Sequence, residues 1–237
     1  MPIKNKPFMS AVVVAAGSSN RMNGINKILY KLSGIAVILR TVMAFEKSNV
    51  VDEIIIVTRE ELVSKIKKLV HDHHFSKSLL IVIGGDTRQQ SVINGINACS
   101  KKSRYYFIHD GARPFISDDM IIKLARAALE HKAVAVGVRV KDTVKRVDEN
   151  GFIVDTIDRS NLYNVQTPQV FEAKLYKNAV ILAQESKKEY TDDCQLVEAT
   201  GHRIYMLDGD YNNIKITTPE DLALAKTIIR QNVNKNG

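Results

Sequence analysis

An uninterrupted apolar stretch near the start of the chain constrains the fold more than any other feature. Residues 11–16 read Ala-Val-Val-Val-Ala-Ala, without the polar alternation of a strand that has one face in water. Such a run is typical of a strand covered on both faces in a parallel sheet. Small polar residues follow from Gly17, and then Arg21, Gly24 and Lys27. These residues suit an anion site in a glycine turn, and a plain turn with two solvated cations explains them equally well.

Apolar runs then alternate with segments of helical spacing. The predicted strands are Glu53–Val57, Leu79–Ile83, Tyr105–His109 and Ala133–Val138, and the predicted helices are Ile35–Phe45, Glu60–His74, Gln89–Cys99 and a helix from Ser117 to about His131. This order predicts an α/β fold with a doubly wound, mostly parallel sheet. Ligands of such sheets bind beyond the carboxyl ends of the strands. The loops at Gly17, Gly84 and Asp110 are therefore expected to converge.

The alternation is interrupted by residues 143–157, which contain two β-prone runs around Asn150-Gly151. This pattern predicts a β-hairpin. Because an isolated hairpin is marginally stable in water, its apolar side chains must pack on this subunit or on a neighbour. We interpret the segment at about 141–160 as a protruding β-arm that contributes to a homodimer. Helical spacing resumes at 172–185, at 192–200 and from Thr218 to about Gln231, within a single domain spanning 1–237.

Composition narrows the class of protein. The 237 residues fit one large α/β domain, and no apolar run approaches the ~20 residues that span a bilayer. The first ten residues do not resemble a signal peptide, so we expect a cytoplasmic protein with no membrane partner. The net charge of +8 suits a polyanionic substrate or nucleic acid. Scattered lysines and the absence of tryptophan argue against nucleic acid. The two cysteines, Cys99 and Cys194, lack metal or redox spacing.

Four further loops are richer in charge and hydroxyl groups than a turn requires. They are 84–91 (GGDTRQQS), 109–115 (HDGARPF), 158–159 with 167–169 (DR and TPQ), and 213–217 (NIKIT). Taken alone, the first loop is slightly better explained as a helix N-cap at Thr87 or Ser91 with solvated charges. Asp110, at the end of a predicted strand, suits either a structural ion pair or a divalent cation. Lys215 lies at a predicted strand ending between two isoleucines, where burial is costly unless the ammonium meets an anion.

Taken in order, these motifs resemble one family. They are AAGxxxRM followed by Lys27, GGDTRQQSV, HDGARPF, VKDTVKR, DR, QTPQ and NIKITTPEDL. Over residues 11–230 the chain resembles the 2-C-methyl-D-erythritol 4-phosphate cytidylyltransferases of the sugar nucleotidyltransferase superfamily, whose fold is Rossmann-like. The ribitol-5-phosphate cytidylyltransferases share much of this framework, but HDGARPF with VKDTVKR and QTPQ favours the erythritol family. One departure from the family pattern is Asn26-Lys27-Ile28, where many members have Pro-Lys-Gln. This difference is expected to affect how the loop closes and how tightly the nucleotide binds.

The resemblance implies a reaction. The phosphate of methylerythritol phosphate attacks the α-phosphorus of CTP, and pyrophosphate leaves while Mg²⁺ bridges the triphosphate oxygens. Arg21 and Lys27 are expected to stabilise the α-phosphate and the leaving group, and Arg159 and Lys215 to hold the attacking phosphate in line. A nucleotide-binding protein without turnover is the alternative from another class.

The remaining site residues are also implied by the resemblance. Those expected to bind CTP are Ala15, Ala16, Gly17, Gly85, Asp86 and Ser91. Those expected to bind the sugar phosphate are Thr143, Thr167 and Thr191. Asp110, with Arg113 nearby, is expected to contact the substrate hydroxyls or the metal. If the arms exchange between subunits, as in the family, each site borrows substrate residues from its partner.

Overall fold

The computed structural model describes residue 3 and residues 6–235, with the side chains of residue 20 and residues 232–235 left aside. The strands are β1 Met9–Ala15, β2 Lys31–Leu32, β3 Ile35–Ala36, β4 Glu53–Thr58, β5 Ser78–Ile83, β6 Tyr105–Asp110, β7 Ala133–Arg139, β8 Val144–Val147, β9 Ile153–Ile157, β10 Tyr163–Glu172 and β11 Tyr205–Asp208. The helices are α1 Val37–Lys47, α2 Glu60–His71, α3 Arg88–Ala98, α4 Asp118–His131, α5 Ala173–Ser186, α6 Asp193–Glu198 and α7 Pro219–Lys235.

Seven strands form one sheet in the order β11-β7-β10-β6-β1-β4-β5. All neighbouring pairs are parallel except those of β10, which runs antiparallel to both β6 and β7. The predicted doubly wound, mostly parallel sheet is therefore confirmed. Neither β10 nor β11 was predicted, because the first half of β10 is polar and β11 is a short edge strand.

The first strand organises two layers of core. Its side chains alternate between the faces of the sheet, so Val13 joins the cluster that contains Phe45 of α1 and Leu124 of α4. Val12 faces the other cluster, with Val92 of α3 and Tyr176 of α5. Every residue of β1 except Val14 is buried. The unbroken apolar run at 11–16 therefore reflects helices packed on both faces, as predicted.

Local capping sets the helix starts that position the loops. The hydroxyl of Ser117 accepts from the N–H of Met120 at 3.2 Å, as predicted for an N-cap. Thr87, rather than Ser91, caps α3 by accepting from the N–H of Gln90 at 3.1 Å. Three differences from the predicted helices concern their ends: α1 begins at Val37 after the β2–β3 turn, α2 ends at His71, and α7 continues to Lys235.

The segment around Lys215 differs from its prediction. Residues 212–218 form no strand but cross the end of the sheet as an irregular segment. Asp221, in the first turn of α7, holds this segment by accepting from the N–H groups of Thr217 and Thr218 at 2.7 and 2.9 Å. The carboxylate thus replaces the ladder hydrogen bonds that a strand would have made.

The predicted hairpin is present as a separate two-stranded sheet of β8 and β9. Its turn is held by Asp148, whose Oδ1 accepts from the N–H groups of Asn150 and Phe152 at 3.0 and 2.9 Å. Phe152 is 72% exposed and Ile153 64% exposed in the single chain. Large apolar side chains on a small solvated hairpin are characteristic of a surface that packs against a partner. Among the described helices, none is long and apolar enough to cross a membrane.

Candidate active site

A cavity of about 640 Å³ opens at the carboxyl ends of β1, β4, β5 and β6. Ten of its lining residues are among the predicted site residues: Ala15, Ala16, Gly17, Arg21, Lys27, Gly85, Asp86, Ser91, Asp110 and Lys215. The predicted convergence of the loops at Gly17, Gly84 and Asp110 is therefore confirmed. Five other predicted site residues lie outside this lining: Arg113, Thr143, Arg159, Thr167 and Thr191.

The loop after β1 forms the first wall. A Cβ placed on Gly17 would meet no atom within 4 Å, so the space beside this exposed backbone is open to a ligand. A single 3₁₀ turn at Asn20–Met22 follows, and Met22 is fully buried against Leu32 and Ile216. The buried methionine anchors the turn from below, which leaves Arg21 exposed on the cavity side.

The departure at residues 26–28 has a structural explanation. Asn26 Oδ1 accepts from the N–H groups of Ile28 and Leu29 at 3.1 and 3.2 Å, which makes a turn around Lys27. Ile28 is 2% exposed and belongs to the main core cluster. The turn therefore fixes the backbone on both sides of Lys27 without the proline that many relatives have there.

The charge of Lys27 is opposed by two other cations of the cavity lining, Lys215 and Arg21. Burial, followed by the neighbouring charge of Lys215, lowers the pKa of Lys27, and Arg21 contributes in the same direction. Such mutual repulsion is unfavourable, and an anion that binds there relieves it. The cluster of Arg21, Lys27 and Lys215 therefore suits a ligand with several negative charges.

Asp110 is the carboxylate at the centre of this charge. It ends β6 and is 7% exposed, and its oxygens lie 2.9 Å from Lys215 Nζ, 3.4 Å from Arg113 Nε and 3.8 Å from Arg88 Nε. Burial alone would raise the pKa of Asp110, but the three cations outweigh it and hold that pKa well below its usual range. Asp110 is thus an ionised carboxylate that contacts three cations and holds Lys215 at the cavity.

The cavity offers Mg²⁺ few protein ligands. Within the described part of the chain, no cluster of three or more His, Cys, Asp or Glu side chains could hold a metal ion. Asp110 is one of four carboxylates on the cavity wall, with Glu60, Glu61 and Asp86. Because Mg²⁺ commonly binds substrate phosphates through one or two carboxylates and several waters, this donor set fits an ion that arrives with a triphosphate.

Arg88 is a site residue that sequence reasoning missed. Its Nη1 lies 2.7 Å from Asp193 Oδ2, and Tyr176 donates to Asp193 Oδ1 at 2.6 Å. With Asp110 on its other side, Arg88 links the end of β6 to the start of α6. A signal existed in the sequence, because a cation in the first turn of a helix opposes the helix dipole and requires an anionic partner.

Arg113 and Thr167 lie behind the cavity wall rather than in it. Arg113 Nη1 donates to the carbonyl of Asn213 at 2.8 Å, which ties the loop after β6 to the segment that carries Lys215. Thr167 is 5% exposed, and its hydroxyl contacts the N–H of Asp110 at 3.0 Å and the ring of His109 at 2.9 Å. The hydroxyl expected to bind a sugar phosphate is therefore already engaged within the protein.

Thr143, Thr191 and Arg159 lie farther out, on the surface. Thr191 is exposed beside the start of α6 and donates to Gln195 Oε1 at 3.1 Å. Thr143 and Arg159 are exposed at the base of the arm, where the Arg159 guanidinium donates to the carbonyl of Lys141. Neither residue lines the cavity of its own chain.

Comparison with known proteins places this geometry in a family. The family model of 2-C-methyl-D-erythritol 4-phosphate cytidylyltransferase matches residues 9–231. The chain belongs to this family. The enzyme of that name from Caldanaerobacter subterraneus subsp. tengcongensis is 44% identical over 225 residues, covering 94% of this chain and 99% of the relative. The one from Clostridium novyi is also 44% identical, covering 92% and 95%.

A solved structure agrees with the sequence comparison. The crystal structure of 4-diphosphocytidyl-2C-methyl-D-erythritol synthase from Anaerococcus prevotii superimposes with a TM-score of 0.86 at 32% identity, covering 94% of this chain and 96% of that one. The cytidylyltransferase family match includes every loop that lines the cavity. The chain is accordingly a nucleotidyltransferase of the isoprenoid pathway with a Rossmann-like fold.

Acid should destabilise this cytidylyltransferase through His109. Burial is the main cause that lowers the pKa of this ring to about 4, below the ~6.5 of an unfolded histidine. The neutral ring therefore contributes stability that is complete above about pH 6.5 and is lost as the pH falls toward 4. We expect the free energy of unfolding, measured by urea titration at constant ionic strength, to fall over this window. His109→Gln should remove most of that slope, and an unchanged slope would show that the ring does not control it.

Proposed function

We propose that this chain transfers CMP from CTP to 2-C-methyl-D-erythritol 4-phosphate, giving 4-diphosphocytidyl-2-C-methyl-D-erythritol and pyrophosphate. The observation that supports this most strongly is the convergence of Arg21, Lys27 and Lys215 on one cavity within the family match. Two phosphate-bearing substrates repel each other, so their reaction needs such a cationic surface. The substrates are small charged molecules, in keeping with the cytoplasmic location expected from the sequence.

We assign the cytidine end of CTP to the slot between the loops after β1 and β5. A Cβ on Gly84 would lie 2.7 Å from the Cβ of Ala16 and from Ser91 Oγ, so the two loops are in close contact. Ser91 Oγ accepts from the N–H of Gly85 at 3.1 Å, which orients the backbone of the second loop. Backbone groups of Ala15–Gly17 and Gly85, with Asp86 at the rim, would then bind the ribose and read the base edge.

The chemistry requires positioning and charge neutralisation. A phosphate oxygen of the sugar phosphate forms a bond to the α-phosphorus of CTP, and the bond from that phosphorus to the bridging oxygen of pyrophosphate breaks. Arg21 and Lys27 stabilise the charge on the five-coordinate phosphorus and the leaving group, while Lys215, held by Asp110, binds the attacking phosphate. Mg²⁺ would supply further charge neutralisation on the triphosphate, with Asp110 as its protein ligand.

We further propose that the functional unit is a homodimer whose arms exchange. Thr143 and Arg159 are exposed at the base of the arm, away from the cavity of their own chain. Their placement in the sugar-phosphate site of a second subunit would bring Arg159 to the attacking phosphate. It would also cover Phe152 and Ile153, which are largely exposed in the single chain. Thr191, near the Arg88–Asp193 pair, would contribute from the subunit that holds the cavity.

Arm exchange makes a prediction for mixed subunits. Lys27→Ala and Arg159→Ala enzymes should each be nearly inactive, because each lacks one charge of the complete site. If the arms exchange, a hybrid dimer has one site with both defects and one with neither. Random reassociation should therefore restore about a quarter of wild-type activity. Differently tagged subunits provide the measurement, since hybrids purified through both tags should reach about half of wild-type activity. Hybrids as inactive as the parents would show that each arm serves its own subunit.

The reaction itself is tested by pyrophosphate release with CTP and Mg²⁺. Wild-type enzyme should turn over with methylerythritol phosphate and at most slowly with ribitol 5-phosphate. UTP in place of CTP provides the base control, and a Lys27→Met variant provides the background rate. Faster turnover with ribitol 5-phosphate than with methylerythritol phosphate would show that ribitol 5-phosphate is the substrate. If the protein binds CTP but releases no pyrophosphate with either acceptor, it is a nucleotide-binding protein without turnover.

A further inference from the structure

His109 is buried directly behind the candidate active site. It precedes Asp110 in β6 and is fully buried, and its ring is outside the cavity lining. Nδ1 lies 2.9 Å from Thr167 Oγ1, and Nε2 lies 3.1 Å from the carbonyl oxygen of Arg113. The ring also packs edge-on against Phe45, with the centroids 5.3 Å apart. None of these contacts is explained by the proposed transfer reaction alone.

The direction of each hydrogen bond can be derived from the groups present. The N–H of Asp110 can only donate, so Thr167 Oγ1 accepts there at 3.0 Å. The single hydrogen of that hydroxyl is then available to the other partner, and Nδ1 of a neutral His109 ring can accept it. The carbonyl of Arg113 can only accept, so Nε2 must carry a hydrogen. A neutral ring satisfies all three bonds only as the Nε2–H tautomer.

This chain of bonds reaches both ends of the 110–113 turn. The pairing of β10 with β6 stops at Gln169 and Ile108, so the N–H of Asp110 meets a side chain instead of a strand carbonyl. The carbonyl of Thr167 also accepts from Asn213 Nδ2 at 2.9 Å. The turn that begins at Asp110, the irregular part of β10 that contains Thr167 and the segment of Lys215 are therefore connected at one buried point.

We propose that His109 and Thr167 are positioning residues, which act together to hold the Asp110 carboxylate where it orients Lys215 toward the attacking phosphate. This inference rests on the proposed function. It assigns Thr167 a role through Asp110 instead of direct contact with the sugar phosphate. Because misplacement of a reacting group by ~1 Å can cost about a hundredfold in rate, a loosened turn should affect the chemical step.

Four variants test whether His109 and Thr167 position Asp110. Thr167→Val removes the hydroxyl and should lower kcat about ten- to a hundredfold with the KM for CTP changed less than about twofold, and Thr167→Ser should recover most of the rate. His109→Gln keeps a donor near the Nε2 position, and His109→Asn keeps an acceptor near the Nδ1 position. The concentration of folded enzyme is determined by titrating the CTP binding sites. Because kcat is calculated per folded enzyme, a variant that is merely destabilised does not show a lower kcat.

The double variant separates the two roles of Thr167. If the hydroxyl acts through His109 and Asp110, Thr167→Val combined with His109→Gln should be no slower than the slower single variant. If Thr167 instead binds the sugar phosphate, its replacement should raise the KM for that substrate, and the two defects should multiply. Multiplying defects, or a full rate for Thr167→Val, would overturn the proposal.

A measurement without substrate is independent of the proposed function. Nitrogen-15 NMR of the histidine ring should show His109 as the Nε2–H tautomer in wild-type enzyme. Thr167→Val should shift its Nδ1 signal and speed exchange of the Asp110 amide. If His109 is the Nδ1–H tautomer instead, the proposed positioning role of His109 and Thr167 is wrong, even if the enzyme is active. An inactive wild type that shows the expected tautomer would instead overturn the proposed function.

Discussion

Replacing Lys27 by methionine is expected to lower kcat by about a hundred- to a thousandfold, the scale seen when one preorganised charge at a transition state is lost. Methionine keeps most of the apolar length of the side chain, so the core contacts around the buried Ile28 should survive. The ammonium shares its cavity with Arg21 and Lys215 and has a lowered pKa caused first by burial. Its charge is therefore poorly solvated, and it should interact strongly with a phosphate.

The matched control for this prediction is Lys67→Met, since Lys67 is exposed on α2 away from the cavity. That variant should keep wild-type kcat and a similar melting temperature. Steady-state pyrophosphate release with both substrates in turn provides the measurement. A Lys27→Met enzyme with more than about a third of the wild-type rate would remove this residue from the transition-state role.

Replacing Asp110 by asparagine should have the second large effect, because this carboxylate holds three cations. Its oxygens lie 2.9 Å from Lys215 and 3.4 Å from Arg113, and Arg88 lies farther, at 3.8 Å. Removal of one partner of a buried ion pair typically costs about 3–5 kcal/mol of stability. The freed Lys215 should also leave the attack position, so we expect kcat to fall by about a hundredfold or more.

Stability and rate must be measured on the same Asp110→Asn preparation. Urea unfolding gives the first, and pyrophosphate release per folded enzyme gives the second. Asp119→Asn is the control, since Asp119 is exposed on α4 and pairs with Lys123 at 2.7 Å. A destabilised variant with a normal rate per folded enzyme would restrict Asp110 to a structural role. A normal melting temperature would instead show that Arg88 and Arg113 find other partners.

The two substitutions probe different parts of one electrostatic design. Lys27 and Arg21 come from the loop after β1, and Lys215 comes from the irregular segment before α7. Asp110, from the end of β6, offsets part of the repulsion around Lys27. A bound anion would offset more of it, which suits substrates that carry four phosphate groups between them.

Much of this could be predicted because the relevant signals are local. The apolar run at 11–16, the Ser117 cap and the Pro219 helix start each depend on a few neighbouring residues. The meeting of Gly17, Gly84 and Asp110 follows from a general property of parallel sheets: equivalent strand ends lie on one edge. The roles expected of Arg21, Lys27 and Lys215 came from the family resemblance, and the cavity places these three together.

Other features were decided by contacts between residues distant in the sequence. The polar first half of β10 becomes a strand because β6 and β7 provide ladder partners on both sides. Arg88 meets Asp193 only after α3 and α6 have packed on the same face of the sheet. Likewise, the Thr167 hydroxyl is engaged by Asp110 and His109 because β10 departs from its pairing at that point.

The sequence by itself therefore determined the alternation of the parallel strands with their helices, and the hairpin, since periodicity, capping and turn signals are encoded within short segments. Only the tertiary structure decided which charges neutralise each other, which hydroxyls are already engaged and that Thr143 and Arg159 lie outside the cavity of their own chain. Those outcomes depend on distances set by the packing of whole elements, and no short segment contains that information.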